Sequence, residues 1–311
     1  MKKKSLRIEY GKHLVELGGR LPNLVALEAD LQDSTQSVQF LRAFPKRYIQ
    51  VGVAEQNMVG ISAGLALAGK IPVAHSFACF ISLRACEQVR TTVAYPRLNV
   101  KFLAAHAGIS AGSAGTTHHA LEDIAIMRAM PNMTVLVPGD TQELRQVLEA
   151  ALKYKGPVYI RVCAMETEDI YTNKDKFSIG RATRLRSGND ITIITTGIMM
   201  AEGVKAADIL RKDFNIQARV LQMASVKPID RDAIIKSAQE TGYIITVEEH
   251  NVLGGLGSAV SEIVAEEARA KVVRIGIDDH FCGVGSAKCL AEKEGLTAQN
   301  IIKQTIKLLK K

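Results

Sequence analysis

The chain has no tryptophan, and aromatic residues make up only 5% of its 311 positions. That scarcity argues against a surface built to stack nucleobases, which needs exposed rings along a basic groove. There is no apolar run long enough to span a bilayer. The start Met1-Lys-Lys-Lys4 is not followed by an apolar segment, so a secretory signal is not expected. Five cysteines (Cys79, Cys86, Cys163, Cys282 and Cys289) form no C-x-x-C pair. They read as reduced, mostly buried thiols of a cytoplasmic protein, and no zinc site is expected from them. Internal repeats and low-complexity tracts are also missing. The formal net charge is +8, but basic residues gather in Met1–Arg7 and Lys303–Lys311 and are interspersed with acids elsewhere. This pattern suits a solvated surface and an anionic small substrate better than nucleic acid.

What is present is an alternation of strand and helix signals, and the length suggests two domains. Arg7–Gly18 has helical spacing, and Asn23–Asp30 reads as a strand running into a polar turn. Tyr48–Val53 reads as a buried strand and Met58–Ala68 as a buried helix. A strand at Pro72–His75, a helix at Cys79–Ala94 and a strand at Leu98–Ala105 come next. His106–His119, rich in Gly, Ala, Ser and Thr, reads as a loop. A helix from Leu121, a strand at Thr134–Val137, a helix from Thr141 and a strand at Val158–Val162 close the unit. Apolar strands alternating with helices imply a parallel sheet covered on both faces.

From Ala164 to Asn189 the pattern loses its period, which places the domain junction there. The expected division is a domain over 1–165, a linker over 166–188 and a second domain over 189–311. The second alternation runs through Asp190–Thr196, Ala201–Lys212, Ala218–Leu221, Tyr243–Val247, a helix after Gly257, and Lys271–Ile275. Its Gly-rich stretch Glu248–Gly257 resembles a dinucleotide or phosphate turn, but the glycine spacing matches neither pattern.

Chemistry is suggested at two places. Glu55 lies where the Tyr48–Val53 strand turns into the following helix, in apolar company. Such a carboxylate has a raised pKa unless something basic or hydrogen-bonding meets it. It either caps the helix N-terminus, where negative charge is favoured, or awaits a ligand nitrogen. The second place is the loop with His106 at its start and His118 and His119 at its end. Adjacent histidines cannot easily chelate one ion, and no carboxylate or cysteine completes a ligand set there. Phe77 and Phe80, spaced i, i+3, are core residues by default.

Val51-Gly-Val-Ala-Glu-Gln-Asn-Met58 resembles the signature of the pyrimidine-binding domain of transketolase-like enzymes. The resemblance implies an α/β fold of two three-layer domains with mainly parallel sheets: a thiamine-diphosphate-binding domain of the pyrimidine type, then a transketolase C-terminal-like domain. It implies that Glu55 hydrogen-bonds the aminopyrimidine of thiamine diphosphate and that Phe77 and Phe80 pack on that ring. Asp30 matches an Asp close to the thiamine ring. His118, in Gly115-Thr-Thr-His118, matches a His that contacts substrate oxygens and acts in proton transfer. His106, Arg7 and Ser34 match phosphate-binding residues, and Arg161 stands three residues before the usual further Arg, where Ala164 lies. His119 replaces a Gln of typical transketolases and matches a His of deoxyxylulose-phosphate synthases. Ala114 replaces a sugar-contacting Asp, and Leu83 stands near a usual Tyr.

The family's diphosphate-binding domain carries Gly-Asp-Gly and a later Asn that hold a metal. No Gly-Asp-Gly occurs here, the nearest being Gly139-Asp-Thr141. The chain therefore resembles the C-terminal half of a split transketolase. Mg2+ or Ca2+ would be held by an N-terminal partner subunit, two copies of each chain would assemble, and sugar phosphates would be the substrates. The competing readings are the beta subunit of a 2-oxo acid dehydrogenase decarboxylase, a deoxyxylulose-phosphate-synthase-like enzyme, and a non-catalytic relic of the fold.

Overall fold

A computed structural model describes residues 3–172 and 174–309; the outermost basic residues expected at the two ends, Lys2, Lys310 and Lys311, lie outside these. Fourteen strands are named here in chain order. The short β1 (Lys4–Ser5) precedes β2 (Leu24–Glu28), β3 (Tyr48–Gln50) and β4 (Ile71–Phe77). β5 (Lys101–Ala105), β6 (Thr134–Leu136) and β7 (Val158–Arg161) follow. The junction holds β8 (Glu166–Thr167) and β9 (Thr183–Arg186). The second half adds β10 (Ile191–Thr195), β11 (Ala218–Gln222), β12 (Ser225–Lys227), β13 (Tyr243–Asn251) and β14 (Lys271–Ile277).

The first sheet has seven strands in the order β12-β6-β7-β5-β4-β2-β3, and the second has five, β14-β13-β10-β11-β9. Every pairing is parallel except the edge strands β12 and β9. Successive residues of one strand feed different cores, as the period of two requires. On β2, Val25 and Leu27 join one hydrophobic cluster while Leu24 and Ala26 join another. On β10, Ile193 and Ile194 part in the same way. Both sheets are thus covered on both faces, which is why their strands read as unbroken apolar runs. Helix Leu6–Arg20 offers Leu6, Tyr10, Leu14 and Leu17 to one face of the first sheet. Helix Glu55–Leu67 offers Met58, Val59 and Ala63 to the other.

Three local expectations differ from the structure. The strand expected over Tyr48–Val53 ends at Gln50, and Val53 is exposed. Gly52, at φ 72°, turns the chain toward the helix, a conformation that glycine adopts without steric cost. The helix expected to be buried over Met58–Ala68 buries one face only, leaving Leu67 exposed and open space beside Gly60 and Gly64. The single helix expected over Cys79–Ala94 is wound as π-helix at Phe80–Arg84 and again at Val89–Ala94. Its Ala85 N–H donates to the Phe80 carbonyl at 3.1 Å, a five-residue step that apolar spacing does not reveal.

The junction is also more structured than its sequence suggests. β8 pairs with β1, and β9 forms an edge of the second sheet. These strands of two and four residues are too short to show alternation. In the other direction, β12 of the second half completes the first sheet beside β6.

Buried charge joins the two halves. Arg161 Nε donates to Asp123 at 2.8 Å, and its Nη2 donates to the carbonyls of Ala120 at 3.1 Å and Glu249 at 2.9 Å. The Glu249 carboxylate lies 3.8 Å from Arg161 and accepts the Ile109 N–H at 3.1 Å. Burial pushes Glu249 up to about 7, against the pull of Arg161. A Cβ on Gly108, at φ +63°, would meet Glu249 at 2.3 Å, so this position requires glycine for both space and conformation.

Arg161, expected to bind substrate, is 3% exposed and all its named partners are internal. Removing one member of a buried charge pair leaves the others uncompensated, at a cost of about 3–5 kcal/mol. Arg161→Met is expected to lower stability by that order in chemical denaturation. A stable variant with only a raised KM would return Arg161 to substrate binding.

Candidate active site

The carboxyl ends of β2, β3, β4 and β5 lie side by side in the first sheet, and the candidate residues follow them directly. Glu55 opens the helix after β3, at the end where backbone N–H groups favour negative charge. It is 1% exposed. Ser76 of β4 donates to its Oε1 at 3.2 Å, and Arg84 donates to its Oε2 at 2.8 Å. Arg84 is the basic group whose presence the sequence left open. Its guanidinium also lies over the Phe80 ring, 4.2 Å from the centroid. Phe80 and Arg84 are four residues apart, a spacing that puts them on one helical face, and that face turns toward Glu55.

Phe77 and Phe80 stack on each other with centroids 5.7 Å apart and planes at 15°. Both meet the histidine loop. The His106 ring lies 4.1 Å from Phe77, and His118 stands edge-on to Phe77 at 6.1 Å and to Phe80 at 5.4 Å. Edge-on contacts suit the charge distribution of such rings. One cluster therefore joins Glu55, Ser76, Arg84, Phe77, Phe80, His106 and His118.

His106 holds φ at 52°, a conformation uncommon outside glycine and one that gathers at functional sites. Burial, then the charges of Arg7 and His118, pull it down to about 4, so it is neutral near pH 7. Its Nδ1 is buried without a partner. Arg7 Nη1 donates to the Ser34 carbonyl at 2.5 Å, so these two expected anion ligands are in contact. The influence of Arg7 on His106 places all three in one neighbourhood.

Two expected residues stand apart. His119 is only 4% exposed, with Nε2 against the Gly112 carbonyl at 3.3 Å. It braces the loop from inside through that nitrogen, while its Nδ1 is buried without a partner. Asp30 is exposed just beyond β2, at φ 65°, with its N–H donated to Gln50 Oε1 at 2.9 Å. Among the described residues no hydrogen bond or ion pair links its side chain to the cluster.

The residues present suit a planar, hydrogen-bonding heterocycle: a sequestered acid, two stacked rings, and unpartnered buried nitrogens on His106 and His119. The chain matches the family described as "Transketolase, pyrimidine binding domain" over residues 2–168 and "Transketolase, C-terminal domain" over 180–301. It is 46% identical over 311 residues to a "Putative transketolase C-terminal section" of Methanocaldococcus jannaschii, covering 99% of this chain and 97% of that protein. It is 44% identical over 298 residues to the "6-deoxy-6-sulfo-D-fructose transketolase subunit SqwH" of a Clostridium species, covering 96% and 92% respectively. The solved structure "Split gene transketolase, inactive beta4 tetramer" superposes with a TM-score of 0.91 at 45% identity over 98% of both chains. The chain belongs to the transketolase family, as the C-terminal subunit of a split transketolase.

Proposed function

We propose that this subunit binds the pyrimidine half of thiamine diphosphate and transfers a two-carbon ketol unit between sugar phosphates. The burial of Glu55 beside two stacked phenylalanines carries the reading. When bound, the cofactor supplies a nucleophilic carbon, and the protein supplies orientation and proton transfer. Glu55 is the acid that exchanges a proton with the ring. Phe77 and Phe80 hold that ring and exclude water. Arg84 now covers the same acid and the same phenyl face, so it is the group a planar ring displaces, and the ring must replace the hydrogen bond that the buried carboxylate would otherwise lose.

His118 is proposed to hand protons to and from substrate oxygens, while neutral His106 accepts or donates a single hydrogen bond. Arg7 and Ser34 are proposed to hold the substrate's anionic end, where a guanidinium fork can pair with two oxygens. The name of the clostridial relative, a sulfosugar transketolase subunit, agrees with an anion site of this kind.

The diphosphate and its Mg2+ or Ca2+ are proposed to sit on an N-terminal partner subunit in the cytoplasm. This chain has no Gly-Asp-Gly motif, and hard divalent ions prefer oxygen ligands. Self-association is supported by the exposed Val53, Leu67, Leu83 and Tyr95, large apolar groups that an interface would cover.

With the partner present, Glu55→Gln is expected to lower two-carbon transfer by about 10²–10⁴-fold while leaving the circular dichroism spectrum unchanged. Undiminished turnover at saturating cofactor would remove Glu55 from the chemistry. Arg7→Ala is expected to raise KM for a phosphorylated acceptor far more than for a short unphosphorylated one, since a remote charge helps only substrates that carry its counterpart. Equal effects on both would make Arg7 structural.

A further inference from the structure

Far along the chain from Glu55, three metal-ligating side chains converge. The ligand atoms of His280, Cys282 and Glu294 all lie within 4.8 Å of one another. His280 Nε2 is 2.9 Å from the Glu294 carboxylate. Cys282 is 1% exposed and the Glu294 side chain 6%, whereas the imidazole is 47% exposed and reaches solvent. Glu294 follows directly on helix Ala287–Lys293, at the end where the helix dipole disfavours negative charge. Among the described residues its one ion-pair partner is His280. The carboxylate is met by the His280 imidazole and by the Cys282 thiol, which gives up its proton when a cation binds.

We propose that His280, Cys282 and Glu294 bind one divalent cation of the zinc type, with water as a fourth ligand. Nitrogen, sulfur and oxygen donors together suit a borderline-soft ion, and they do not suit magnesium or calcium. Tetrahedral zinc places such ligand atoms roughly 3.3–3.8 Å apart. Separations running from 2.9 Å up to 4.8 Å therefore close around an ion with side-chain shifts of about 1 Å. The pattern was not legible in the sequence: His280 and Cys282 are two residues apart, and the third ligand waits at the far end of a helix.

The site bears on the substrate loop. The Cys282 carbonyl accepts the Thr116 hydroxyl at 2.8 Å. A Cβ on Gly115 would meet Val284 at 3.0 Å, and one on Gly112 would meet the Gly285 carbonyl at 3.1 Å. The segment that carries His118 thus rests on the segment that carries Cys282, and the cation fixes the second against the first.

The test uses the full chain, stripped with chelator and titrated with Zn2+ or Co2+. One equivalent is expected to bind, and cobalt is expected to show a thiolate charge-transfer band. Cys282→Ser is expected to abolish the band. His280→Ala, a surface change that spares the fold, is expected to weaken zinc binding at least about tenfold. Cys289→Ser, at an exposed thiol outside the triad, is expected to keep the band. Hydrogen exchange at residues 112–118 is expected to slow when zinc is added. No stoichiometric uptake at micromolar free zinc would overturn the site, as would unchanged zinc affinity in His280→Ala or a thiolate band surviving Cys282→Ser. Unchanged exchange would overturn the bracing role.

Discussion

A carboxylate taken out of water at the amino end of a helix must be met by something, and around Glu55 the first domain provides what meets it. The helix dipole, the Ser76 hydroxyl and the Arg84 guanidinium converge on a side chain that the apolar face of the same helix drags into the core. The π-helical turn at Phe80–Arg84 looks like a defect in isolation. It lies directly beside Glu55, and its last residue, Arg84, covers Phe80 and meets the acid. π-Bulges are frequent at functional sites.

The histidine loop depends on a second buried electrostatic constraint. Glu249, from β13 of the second sheet, holds the Ile109 N–H and approaches Arg161, while Gly108 leaves it room. Asp123 binds the same arginine and also accepts the Tyr159 hydroxyl at 2.8 Å. The second domain therefore sets the start of the loop through Glu249 and supports its end through the Cys282 carbonyl. Its Gly-rich stretch is occupied from within. There the Glu248 carboxylate accepts the N–H groups of Leu256 and Gly257, both at 2.7 Å, and occupies the helix N-terminus itself.

Much of this was legible in the chain. The largely apolar run Leu98–Ala105 announced a buried strand, observed over Lys101–Ala105, and the Gly- and Ala-rich run after His106 announced a loop. Glu55 and the phenylalanine pair were singled out by their signature, and the structure brings them into one cluster. Arg84 was not, since its contact with Glu55 joins residues 29 apart in the chain and no local pattern announces it. The internal partners of Arg161 were not legible, because a basic residue near the end of a strand has the same appearance whether it faces substrate or Asp123. Nor was the inward turn of His119, as neighbouring residues at a loop's end point in different directions and His118 took the outward one. The contribution of β12 to the first sheet is a long-range pairing, and three residues carry no local sign of it.

Under the proposed function this chain holds the half of a cofactor site that protonates and orients, and a partner subunit supplies the charged half. The most direct measurement is two-carbon transfer between sugar phosphates by the purified chain with thiamine diphosphate and Mg2+. It is made alone and then with a second polypeptide carrying a Gly-Asp-Gly…Asn motif. The account predicts no turnover from the chain alone and activity when the partner is added. Sustained turnover by the chain alone would contradict it.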